Sequence, residues 1–152
     1  MKSFQNPDDT TEIIERVRRV RPDSQRQWGR MNAHQMLCHL NDSYLVCMGG
    51  KEVSPATGLL QRTLMKWFAL WVPLPWPKGI QTRPEVDQAA GGTPPAEFER
   101  DRQELENIII RFTQSNRDFE WHPHPIFGMM PDRDWLRWGW LHADHHLRQF
   151  GL

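Results

Sequence analysis

The chain has 152 residues, and nineteen Lys and Arg balance nineteen Asp and Glu to a formal net charge of zero. That balance excludes a global field drawing in nucleic acid or an anionic membrane, so a partner has to be recognised locally. The length is that of one ordinary domain, so residues 1–152 are expected to share a single core.

The first helix is predicted from Thr10 to Arg21, with Ile13, Ile14 and Val17 inward and Arg16, Arg18 and Arg19 on a solvated outer face. A turn-rich connection, Pro22 to Met31, follows. Asn32 is a good N-cap, and Gln35 stands where a capping box needs it, so a second helix runs from there to Met48 and stops at Gly49-Gly50. Met36, His39 or Leu40, Ser43, and Val46 or Cys47 mark its inward face, with Asp42 close to one turn beyond His39. His34 lies about 140° round the helix from His39 and is the poorer candidate for a shared site. Cys38 and Cys47 are roughly 13 Å apart along this helix, too far to bridge each other. Reduced thiols, and an N-terminus without the apolar run of a signal peptide, predict a cytoplasmic protein.

From Thr57 to Val72 the residues Leu60, Leu64, Trp67, Phe68 and Trp71 recur at helical spacing. Gln61, Arg62 and Lys66 interrupt the apolar run and Pro73, Pro75 and Pro77 end it, so the stretch reads as a buried or interface helix and not as a membrane span. An apolar surface wider than one buried stripe predicts a homodimer contact. Residues 73–95 hold repeated prolines and Gly79, Gly91 and Gly92 without periodicity, a long loop in which Trp76 and Ile80 are expected to pack down. Pro94 or Pro95 opens the fourth helix, which runs to Ser115 or Asn116 with Phe98, Leu105, Ile108 or Ile109 and Phe112 inward. The link from Phe119 to Gly128 places His122 and His124 between prolines, in extended backbone.

The last helix starts at Pro131, carries Asp132 and Asp134 on the positive end of its dipole, and stops at Gly151. Steps of three and four from Trp135 pass through Trp138, His142 and His146 to Gln149, which puts two imidazoles one turn apart on the inward face. His142 with His145 also share one side, and the stripe favours His146. In a bundle of four amphipathic helices, His39 can meet this pair. Three neutral imidazoles suit zinc, nickel or another late divalent metal and leave a position open for water or substrate. Asp42 and Gln149 are placed to orient the rings through their second nitrogens, or to be ordinary polar neighbours. Satisfied core histidines are the alternative to a metal centre.

His39 within Asn32-Ala-His-Gln-Met-Leu-Cys-His-Leu40, together with His142-Ala-Asp-His-His-Leu-Arg-Gln-Phe150, resembles the DinB/YfiT superfamily. His124-Pro-Ile-Phe-Gly128 followed by Trp135 is similar to an uncharacterised branch of it. The resemblance implies an all-α, up-down four-helix bundle, commonly dimeric, with metal ligands at His39, His142 and His146. It also implies a metal-dependent enzyme that uses a low-molecular-weight thiol, transferring it to a small-molecule electrophile or isomerising a substrate. The alternatives are a non-catalytic metal-binding or stress-associated bundle and a metal-assisted hydrolase.

Overall fold

The computed structural model describes residues 1–56 and 58–152. Among these it is all-α: α1 (Pro7–Arg19), α2 (Ala33–Cys47), α3 (Lys66–Trp71), α4 (Phe98–Thr113) and α5 (Asp132–Arg148). There is no strand among the described residues, only a single antiparallel bridge between His124 and Gly128. No helix is long and apolar enough to cross a membrane among those residues.

Helix α1 begins three residues before the expected start, because the Asn6 side chain accepts from the Asp8 N–H and Pro7 takes the first turn, where a missing N–H costs nothing. Its expected solvated arginine face is corrected at one position. Arg16 is buried and donates to Asp144 and to the Leu152 carbonyl, both at 2.9 Å, tying α1 to the end of α5. Helix α2 keeps the expected boundaries, and its capping box is complete in both directions between Asn32 and Gln35. Gly49, just past its end, has a φ of 76°, and a Cβ there would lie 2.3 Å from the His122 ring, so only glycine closes this helix.

Helix α4 starts at Phe98, after both prolines, with the Glu97 carboxylate accepting from the Glu99 and Arg100 N–H groups. Pro131 is the N-cap of α5 and not its first residue. Helix α2 packs against α4, α4 against α1, and both α1 and α2 against α5, while α3 lies on α5. Between them Ile13, Leu37, Tyr44, Ile109, Phe112 and Trp135 are fully buried. The Tyr44 hydroxyl donates to the Gly139 carbonyl at 2.8 Å, and a Cβ on Gly139 would sit 2.7 Å from the Phe112 ring, so a side chain there would push the helices apart.

The third helix departs from expectation. A π-helical turn, Gln61–Met65, runs directly into α3, and Thr57, the expected start, lies outside the described residues. Of this segment only Leu70 is buried, whereas Leu60, Leu64, Trp67 and Phe68 are each more than half exposed. Periodicity identifies an apolar stripe, but the neighbouring elements decide which way it faces.

Candidate metal centre

Helix period puts His142 and His146 on one face of α5, and the α2–α5 contact brings His39 across to them. The Nε2 atoms converge: His142 Nε2 lies 3.0 Å from His146 Nε2 and 3.3 Å from His39 Nε2. His39 and His146 are buried and His142 is nearly so. Burial pushes all three imidazoles below their ordinary value, and at His142 and His146 the neighbouring histidines push the same way. They are therefore neutral at physiological pH, the form that carries a lone pair.

Two of those lone pairs are aimed by the second ring nitrogen. His39 Nδ1 donates to the Val86 carbonyl at 2.7 Å, and His146 Nδ1 donates to Gln149 Oε1 at 3.0 Å. A hydrogen on Nδ1 leaves the Nε2 lone pair free, and here both point into the cluster. His142 Nδ1 is buried without a hydrogen-bond partner among the described residues. Three buried, neutral imidazoles with converging Nε2 atoms form a group that could hold a metal ion.

Gln149 thus stands where the sequence placed it, but Asp42 does not orient His39, whose Nδ1 is taken by Val86. The Asp42 carboxylate instead accepts from Thr93 N at 2.8 Å, Thr93 Oγ1 at 2.6 Å and Gln88 Nε2 at 2.9 Å, and pairs with Lys51 at 2.8 Å. It anchors the loop that supplies the Val86 carbonyl. That loop is more ordered than its composition predicts: Pro84–Val86 form a single 3₁₀ turn, and Trp76 donates to the Ala69 carbonyl while lying beside the His142 and His145 rings. Ile80, expected to pack down, is exposed.

The other histidines separate by location. His145 stays outside the cluster, edge-on to Trp28 at 4.8 Å, and burial holds its imidazole down at about 4. His124 is stacked on Phe127, its Nδ1 accepts from the Ile126 and Phe127 N–H groups at 3.1 Å, and burial takes it down to about 3. Exposed His122 covers Gly49 and donates its backbone N–H to the Cys47 carbonyl. His34 is on the far side of α2, bound to Asp101 at 2.7 Å.

The cluster forms part of the wall of a cavity of about 620 Å³, which Trp28, Trp76, Trp138, Val86, His124 and Phe127 also line. Sequence reasoning missed Val86, Trp28 and His124 as part of this site. Only the Pro-flanked His124 carried a signal, its fixed backbone.

Fold and site together define an all-α protein with a buried three-histidine cluster opening on a mostly apolar cavity. The chain belongs to the family described as "Protein of unknown function (DUF1569)", which matches residues 3–151. No curated protein and no solved structure matches it.

Proposed function

We propose that this chain is a DinB-like, up-down four-helix bundle that holds one divalent cation, zinc or nickel, on His39, His142 and His146. We further propose that it works as a cytoplasmic homodimer transferring a low-molecular-weight thiol to a small electrophile. The observation that carries the reading is the convergence of three Nε2 atoms, two of them with their tautomer set by Val86 and Gln149, beside a cavity large enough for a small molecule. Three protein donors would leave a coordination position for water or substrate. A cation bound there supplies a positive charge that favours thiolate over thiol at neutral pH.

The chain's own residues do the rest. Val86 and Gln149 hold the rings, and Trp28, Trp76 and Trp138 give the cavity an apolar wall. The thiol proton leaves to solvent, the sulfur forms a bond to the electrophilic carbon, and the leaving group departs with its bonding pair. No protein nucleophile is required: Cys47, which lines the cavity, donates to the Ser43 carbonyl, and burial pushes its thiol far up.

The test is elemental analysis of protein purified without a histidine tag, comparing wild type with His142→Ala and His146→Ala. Near-stoichiometric metal lost in both variants, followed by thiol-dependent turnover, supports the reading. Turnover without any thiol points to a metal-assisted hydrolase instead. A wild-type chain that takes up neither zinc nor nickel after loading overturns the metal centre and the enzyme with it.

A further inference from the structure

Helix α2 carries donors on two faces. His39 looks toward α5, while His34 and Cys38, four residues apart and therefore one above the other, look toward α4. There they meet Asp101, whose Oδ2 is 2.7 Å from His34 Nε2 and 3.6 Å from Cys38 Sγ. The three donor atoms all lie within 4.8 Å of one another. Cys38 and Asp101 are buried, and the His34 side chain is 22% exposed, which leaves one corner of the cluster open to solvent. Two further contacts hold the group in place: the Ala96 N–H donates to the same Asp101 oxygen at 2.9 Å, and Phe98 lies edge-on to the His34 ring.

We propose that His34, Cys38 and Asp101 form a second divalent-metal site, of the zinc type, that clips α2 to α4. Sulfur, imidazole nitrogen and carboxylate oxygen are the three donor kinds that zinc takes. The charges also close: one thiolate and one carboxylate cancel a divalent cation, so the occupied site is neutral, the condition a buried position favours. Binding releases one proton, from the Cys38 thiol to solvent, and the His34 hydrogen, which Nε2 donates to Asp101 in the empty site, moves to Nδ1 so that Nε2 offers its lone pair.

Metal–donor bonds of about 2.0–2.3 Å set donor separations of about 3.3–3.8 Å in a tetrahedron. The Cys38–Asp101 distance is already in that range. His34 Nε2, on the exposed member, is 2.7 Å from the Asp101 oxygen and has to move out from it by about 0.6–1.1 Å to reach that range, and water completes the shell. None of the three residues is part of the cavity lining, so the clip is structural and separate from the three-histidine centre. It would fix the helix on which His39 follows Cys38 directly.

The probe is cobalt(II), titrated into the full chain carrying His142→Ala and His146→Ala so that the first centre is disabled. Only a sulfur donor gives a thiolate-to-cobalt charge-transfer band, and the three-histidine centre has none. The expected result is one equivalent of cobalt with that band, displaced by zinc, and a rise of several degrees in Tm on zinc addition. Cys38→Ser, which keeps a hydroxyl donor for Asp101, loses the band, and His34→Gln at the exposed corner weakens zinc binding while the far-ultraviolet circular dichroism stays that of the parent. Absence of the band in the parent, or zinc binding unchanged in both folded variants, overturns the site. The outcome is independent of whether the first centre binds metal in wild type.

Discussion

The ring of His39 donates its Nδ1 hydrogen to the main-chain carbonyl of Val86 at 2.7 Å, so a histidine on α2 is aimed by a loop more than forty residues further along the chain. Asp42, close to one turn beyond His39, holds the far end of that loop through Thr93 and Gln88. The carboxylate is 1% exposed and paired with Lys51, so removing it strands a buried network. Asp42→Ala is expected to cost about 3 kcal/mol of stability, measured by urea unfolding. Metal affinity should also fall about tenfold by chelator competition, although Asp42 touches no proposed ligand. Unchanged affinity would detach the loop from the site.

Gln149 accepts from His146 Nδ1 at 3.0 Å, and among the described residues it is the side chain that takes the Nδ1 hydrogen of a cluster histidine, where His39 uses a main-chain carbonyl. Gln149→Leu keeps the volume and removes the acceptor, which frees the His146 tautomer. Metal affinity should drop about tenfold or more, with little change in the unfolding midpoint of the metal-free chain. Gln149→Glu supplies a stronger acceptor and should retain or tighten binding. If both variants bind like wild type, the tautomer argument fails.

His124 gives a pH prediction that does not depend on metal. Its Nδ1 accepts two backbone hydrogens, and burial takes the imidazole down to about 3. Above about pH 6.5 neither the folded nor the unfolded ring is charged, and the group adds no pH dependence. Below it, the unfolded chain takes up a proton that the folded chain refuses, so stability falls with decreasing pH by about 1.4 kcal/mol per unit until about pH 3. His124→Asn keeps a side-chain acceptor and removes the titrating ring. Its stability should therefore decline less steeply than wild type between about pH 6 and 4 by that amount. Urea midpoints of the two metal-free chains across that range decide the matter, and parallel slopes would contradict it.

What was legible in the sequence was what short-range chemistry encodes. Asn32 and Gln35 are three residues apart and fixed the start of α2, and helix period alone put His142, His146 and Gln149 on one face. The Val86 carbonyl left no trace, because a main-chain acceptor has no residue type to read. Helix spacing leaves Asp42 either a ring-orienting group or an ordinary polar neighbour, because its partners come from a loop that propensity treats as structureless. Arg16 looked solvated because its partners, Asp144 and the Leu152 carbonyl, lie at the other end of the chain.

The stripe Leu60, Leu64, Trp67 and Phe68 is exposed in the single chain, and Leu59 and Met65 extend it. Exposed apolar area of this extent on one helical segment is what a partner surface looks like, and the proposed homodimer places a second copy of the chain there. Trp67 is the anchor expected to matter most, as the largest flat side chain of the stripe. A charge introduced there has to be desolvated on association, so Trp67→Glu should raise the dimer dissociation constant by at least about 30-fold, the equivalent of about 2 kcal/mol. Light scattering over a dilution series reads this directly. The fold should be unaffected, because Trp67 is 56% exposed and no part of the core rests on it. A wild-type chain that stays monomeric at high concentration would assign the stripe to another partner, and a Trp67→Glu dimer as tight as wild type would place the interface elsewhere.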